Sequence, residues 1–244
     1  MSVAGKVIVI TGAGSGIGRA LAVGFYRDGA RVVGFDISQA GLAETKTEAG
    51  MRMLTIAGDV TAEKDVDRLV AVAAEQFGQI DVLVNNAGIS DRARFPEIPF
   101  EQWARVIEIN LLGAVLCTHR VLPLMLERGH GRIVNMVSRA AESTATANTA
   151  YAASKAALVS FTKNLAAGID RQHYPDVLVN ALIPGPTNTA IWRDAIPDDR
   201  KQAMQKPEAV YPHAKYVVEL PAGGPHGRVF FNSQDYPIFA RFNV

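Results

Sequence analysis

The feature that most constrains this chain is a glycine cluster set between an apolar strand and a helical pattern. Residues Lys6 to Ile10 read as a strand, β-branched without a break from Val7 on, and Thr11-Gly12-Ala13-Gly14-Ser15-Gly16-Ile17-Gly18 follows at once. Ile17, Leu21 and Phe25 then recur at helical spacing. Glycines there let the backbone turn sharply and approach an anionic group. The helix that follows offers unpaired N–H groups and a partial positive charge at its start. A cluster of glycines can also be a mere turn, so the remainder of the chain has to decide.

Strand and helix patterns alternate to near the end. Apolar runs at Arg31 to Asp36, Met53 to Asp59, Asp81 to Asn85, Arg132 to Val137, Val177 to Ile183 and Arg228 to Phe231 read as six further strands. Helical periods fall at about Ile17 to Asp28, Leu42 to Ala49, Ala62 to Phe77, Phe100 to Glu127 and Thr149 to Arg171. Strands that are apolar throughout are buried on both faces, and right-handed crossovers then produce a parallel sheet. The expectation is an α/β fold: a doubly wound, mostly parallel, seven-stranded Rossmann-type sheet with helices on both faces. A chain of 244 residues without an internal linker is expected to be one domain over residues 1–244. The proline-rich stretch after Pro184 shows little apolar period, and residues 187–206 are expected to form a substrate lid.

Charge and cysteine content exclude several roles. With 25 Lys plus Arg against 24 Asp plus Glu, there is no basic field for a nucleic-acid backbone. The single Cys117 allows no intrachain disulfide and reads as a buried thiol. The five histidines show no metal-ligand spacing, so no metal is expected. The amino terminus runs straight into a strand without a signal-peptide pattern, and no run of 18 consecutive apolar residues occurs, which excludes a membrane role and leaves the cytoplasm as the expected compartment.

Asp36 ends the second strand 24 residues after Gly12, where a carboxylate reaches the adenosine ribose hydroxyls of a dinucleotide. It would bond a 2′-OH and repel a 2′-phosphate, and positions 35 and 37 hold no cation. NAD is therefore expected over NADP.

The ordered set TGAGSGIG, Asp59-Val60, Asn85-Asn86-Ala87-Gly88, Asn110, Ser138, Tyr151-Ala152-Ala153-Ser154-Lys155 and Pro184-Gly185 resembles the short-chain dehydrogenase/reductase family over about residues 4 to 190. That resemblance implies Asn110, Ser138, Tyr151 and Lys155 as a catalytic tetrad, with Asn110 holding a water that relays protons to Lys155. For the cofactor it implies Gly12, Ser15, Gly16, Ile17 and Gly18 at the phosphates, and Asp59 and Val60 at the adenine. Asn86, Ala87 and Gly88 would lie along the cofactor, followed by Ile183, Pro184, Gly185, Thr187 and Thr189 toward the nicotinamide. The ending from Gly227 to Ile238 departs from the family pattern, so residues 226–244 form an atypical tail.

Spacing supports the chemistry. Lys155 follows Tyr151 by four residues in a helical segment, so the two share a face. An ammonium about 4 Å from the phenol would favour phenolate by on the order of 4 kcal/mol, bringing a pKa of about 10 toward neutrality. Ser138 at a strand end could converge on the same carbonyl oxygen. A loop containing Ser90, the segment after Ser138 including Ala140, and Trp192 are the expected substrate contacts. The sum is an NAD-dependent alcohol dehydrogenase or carbonyl reductase acting on a small secondary alcohol or ketone, expected as a homo-oligomer, dimer or tetramer. The alternative is a nucleotide-binding sensor or scaffold without turnover, since a fold does not fix a function.

Overall fold

The computed structural model describes residues 2–91, 93–95, 97–143, 148–192 and 202–239. Its centre is a sheet in the order β3-β2-β1-β4-β5-β6-β7-β8. The strands are β1 (Val7–Thr11), β2 (Arg31–Asp36), β3 (Leu54–Ala57), β4 (Val82–Asn85), β5 (His130–Met136), β6 (Asp176–Ile183), β7 (Val229–Phe231) and β8 (Gln234–Asp235). All pairings are parallel except β7 with β8. The eighth strand corrects the expected count of seven. It exists because Asn232 and Ser233 both adopt positive φ, at 50° and 59°, closing a two-residue turn that folds the tail back on β7.

The apolar strands are buried on both sides, as their lack of alternation implied. Ile8 and Ile10 face a cluster containing Leu21 and Phe25 of α1 (Gly16–Arg27) and Leu42 of α2 (Gln39–Ala49). Val7 and Val9 face the opposite cluster, with Val66 and Leu69 of α3 (Glu63–Phe77) and Cys117, Val121 and Met125 of α5 (Ala114–Arg128). Each fully buried side chain of this size contributes roughly 1.5–3 kcal/mol.

One long helical stretch, Phe100–Arg128, is long and apolar enough to cross a membrane by length and composition. Here it packs as a layer of the fold. Val106 of α4 (Phe100–Ile107) and the α5 residues just named are buried, while Arg105 pairs with Asp59 at 2.6 Å and Arg120 with Asp67 at 2.7 Å. Between α4 and α5 the helix widens into a π-helical turn, Glu108–Gly113. Asn110, which a regular helix disfavours, sits inside that turn.

The stretch after Pro184 is more regular than its sequence suggests. A helix α7 (Tyr211–Val218) follows a 3₁₀ turn, Pro207–Val210, and buries Val210, Ala214, Val217 and Val218 in the cluster shared with α1. The Tyr211 ring meets Phe25 edge to face at 5.1 Å, and its hydroxyl donates to Asp28 at 2.6 Å. Gly24 is required there, because a Cβ would run into the Tyr211 ring. Of the expected lid, residues 193–201 and the side chain of Trp192 lie outside what is described.

His226 ties the sheet to α6 (Thr149–Ala167) just before β7. Its Nδ1 accepts from the Val179 N–H at 3.0 Å, so Nε2 carries the proton and donates to the Ala166 carbonyl at 2.9 Å. Burial, with the charge of Arg171 adding to it, lowers its pKa below the ordinary value. A base lowered in this way contributes stability that is full above its unfolded value of about 6.5 and is lost as the pH falls through the folded value. Between about pH 7 and pH 5, the urea-unfolding free energy should therefore fall more steeply in the unmodified protein than in His226→Gln. Identical slopes would show that the folded and unfolded chains protonate His226 alike, so that burial does not lower its pKa.

Candidate active site

Every motif named above lies at the carboxyl edge of the sheet, around the point where strand order reverses between β1 and β4. A cleft of about 600 Å³ opens there. At one end stand Gly12, Ser15, Gly16 and Ile17 of the loop into α1, with Asp36 at the end of β2 and Asp59 and Val60 after β3. The middle is formed by Asn86, Ala87, Gly88 and Ser90 after β4. At the far end are Ser138 after β5, Tyr151 and Lys155 on α6, and Pro184, Gly185, Thr187 and Thr189 after β6. Sequence reasoning thus placed one contiguous surface. It missed Gln102 and Arg105 of α4, and Ile37 and Ile89, which line the same cleft; Ile191, also in the lining, falls within the expected lid.

The glycine loop is shaped for an anionic ligand. Gly12 and Gly16 have φ of +68° and +53°, and a Cβ on Gly12 would lie 2.8 Å from the Ala87 Cα. Gly18 does not line the cleft; its missing Cβ lets α1 press on the Gly12 carbonyl. The Asp36 carboxylate accepts from the Gly14 N–H and the Ser38 N–H, both at 2.8 Å, which fixes it against the loop with lone pairs left for a ribose. Arg19, which reaches that loop, donates to the Gly14 carbonyl and to Glu44, each at 2.6 Å. The donor set, bare backbone N–H groups beside a carboxylate, fits a dinucleotide with a free ribose hydroxyl.

Asn86 turns out to be a strut. Its Nδ2 donates to the carbonyls of Thr11 and Gly12 at 3.0 and 3.2 Å, joining the loops after β1 and β4. Asn85 points the other way, donating to Thr118 and to its cross-strand neighbour Asn135 at 3.0 and 2.8 Å. Asn110 is buried behind Gly88 and brackets Ile89: its Oδ1 accepts from the Ile89 N–H at 2.8 Å and its Nδ2 donates to the Ile89 carbonyl at 2.9 Å. The same amide donates to Ser154 at 3.1 Å. Its side chain is thus occupied in holding the β4 loop. Of the expected substrate contacts, Ser90 lines the cleft but donates to Asn148 at 3.0 Å, and Ala140 packs beside Tyr151 with Ile191.

Ser138, Tyr151 and Lys155 converge as their spacing implied. The Tyr151 phenol is hydrogen-bonded with Ser138, and Lys155 Nζ lies 5.6 Å from the Tyr151 ring centroid while donating to the Met136 carbonyl at 2.8 Å. The electrostatics, however, run against expectation. Burial raises the Tyr151 pKa, with only the Ser138 bond opposing it, and burial lowers Lys155 to about 8. The attraction between the two charged forms is outweighed by the desolvation of both groups.

Known proteins resemble this chain in sequence and in fold. A family model described as short chain dehydrogenase matches residues 6–200. A sorbitol dehydrogenase of Cereibacter sphaeroides is 37% identical over 193 residues, 79% of this chain and 74% of that one. An uncharacterised oxidoreductase of Thermotoga maritima is 36% identical over 207 residues, 84% and 77% of the two chains. Among solved structures, a 3-ketoacyl-(acyl-carrier-protein) reductase from Brucella melitensis complexed with NADH superposes with a TM-score of 0.87 at 31% identity, covering 96% of this chain and 98% of that one.

If burial governs Lys155, its side-chain amine titrates with a midpoint near 8. Lysine-selective NMR, with the resonance assigned through Lys155→Arg, measures this directly. A midpoint at the ordinary 10.5 would mean that the amine keeps its water.

Proposed function

The chain belongs to the short-chain dehydrogenase/reductase family, and within that family of oxidoreductases we propose that it moves a hydride reversibly between NAD(H) and a small secondary alcohol or ketone. The observation that carries this reading is the meeting of Ser138, Tyr151 and Lys155 at the end of a cleft whose other end is a glycine loop beside Asp36. A nicotinamide, when bound, supplies or accepts the hydride alone, so the hydroxyl proton has to come from or go to the protein.

Tyr151 is the group for that proton. Its phenol, raised by burial, is protonated at neutral pH and can donate to a carbonyl oxygen, and the same oxygen as phenolate would accept the alcohol's proton in the reverse direction. Ser138, on the same phenol, can donate to the carbonyl oxygen and fix its position. Lys155 stands behind the ring with its amine on the Met136 carbonyl, placed to restore the proton from the protein side. The apolar wall of Ile89, Val137 and Ile191 suits an uncharged substrate and excludes water from the transfer. Asp36 sets the cofactor choice by repelling a 2′-phosphate, and the NADH in the Brucella complex supports the same choice. A sensor or scaffold would use the glycine loop and leave the Ser138–Tyr151–Lys155 grouping without a purpose.

Two outcomes test this. Tyr151→Phe should lower kcat by about 10²–10⁴-fold while the Kd for NADH stays the same, since only proton transfer is lost. A variant retaining more than about a tenth of kcat would remove Tyr151 from that role. The unmodified protein should prefer NADH over NADPH in kcat/KM and Asp36→Ala should narrow the gap; an unmodified preference for NADPH would overturn the cofactor assignment.

A further inference from the structure

The helix that carries Tyr151 begins in an unusual way. Its N-cap residue, Asn148, sits in the left-handed region at φ 69° and makes no side-chain cap. Its Oδ1 instead accepts from the Ser90 hydroxyl at 3.0 Å. In an ordinary helix the N-cap side chain accepts from the N–H of the second or third helical residue. Here those residues are Ala150 and Tyr151, and their N–H groups go to a carboxylate 59 and 60 residues upstream: Asp91 Oδ2 accepts from Ala150 at 3.1 Å and Oδ1 from Tyr151 at 2.9 Å.

Asp91 is fully buried, with 0% of its surface exposed. Withdrawing a carboxylate from water costs several kcal/mol unless it is well bonded. Two N–H bonds at the positive end of a 19-residue helix meet that need. A helix start could be capped more simply by a Ser or Asp at position 148 itself, so the long-range cap does something a local one cannot. It fastens Tyr151 to the β4 loop.

That loop is pinned along its length. Asn86 holds it to the glycine loop, Asn110 brackets Ile89, Ser90 reaches Asn148, and Asp91 grips the first turn of α6. The span from Asn86 to Asp91 is thus one strut between the cofactor end of the cleft and the proton donor. We infer that Asp91 is a positioning residue for Tyr151: its buried carboxylate caps α6 in place of Asn148 and sets where the phenol stands relative to the phosphate loop. The inference rests on the proposed role of Tyr151 in proton transfer.

The test uses Asp91→Ala, Asp91→Asn and the unmodified protein, with three readouts. Amide hydrogen exchange at Ala150 and Tyr151 reports the cap itself, without reference to activity. NADH titration reports the phosphate loop, and steady-state reduction of a ketone that the unmodified protein accepts reports the proton donor. In Asp91→Ala the two amides should lose protection, and kcat should fall by about 10–100-fold while KM for the ketone and Kd for NADH change by less than about twofold, because a misplaced group costs rate more than binding. Asp91→Asn has the same shape and keeps one acceptor oxygen, so it should recover part of kcat; it also stands in if Asp91→Ala does not fold. Unchanged kcat with the amides deprotected would overturn the positioning role. So would kcat, NADH affinity and melting temperature falling together in both variants, which is what a purely structural residue gives. A protein in which the amides respond while the unmodified chain reduces no ketone would refute the proposed function and leave the cap standing.

Discussion

One buried hydroxyl joins the two halves of the sheet at the point where the cleft opens. Thr11 ends β1, and its Oγ1 accepts from the N–H groups of Asn86 and Ala87 at 3.0 and 3.1 Å. Asn86 returns the contact through its amide to the backbone of Thr11 and Gly12. A parallel sheet that reverses its order leaves a gap between the loops after its first and fourth strands, and backbone donors in that gap cost roughly 1–3 kcal/mol each if left unpaired. The Thr11–Asn86 stitch satisfies them and fixes the spacing between loops. The glycine turn, the Asn110 clamp on Ile89 and the Asp91 cap on α6 are all measured out from that stitch.

The sequence disclosed what depends on local pattern. Strands buried on both faces are apolar without alternation, so β1 to β7 could be placed within a few residues. Asn110 in an apolar helix was a visible anomaly, and its cause is the π-helical turn at Glu108–Gly113. What could not be read depends on partners far away in the chain. The helix Tyr211–Val218 is eight residues with a proline at its second position, too short to establish a period. Its place is set by Tyr211 meeting Phe25 across 186 residues. The last strand is two residues, made by a left-handed turn rather than by any β-rich run. Asp91 reads in sequence as one more loop residue, and only its contact with α6 gives it meaning.

The pairing of Tyr151 with Lys155 shows a limit of another kind. Spacing placed both side chains on one helix face, and they do meet. The direction of their pKa shifts needed the depth of burial, which spacing does not contain. Desolvation raises the phenol and lowers the amine, so both are pushed toward their uncharged forms. A protonated phenol beside an amine that, at about 8, still holds its proton at neutral pH is the arrangement the proposed proton transfer uses.

The central claim is that the cleft brings a nicotinamide hydride and the Tyr151 proton to one carbonyl carbon and oxygen. Isotope transfer measures this most directly. With NADH carrying deuterium at the transferred position of C4 and a panel of small ketones, the alcohol product should contain deuterium at the carbinol carbon on one face only. Tight binding of NADH with no deuterium delivered to any ketone of the panel would contradict the account.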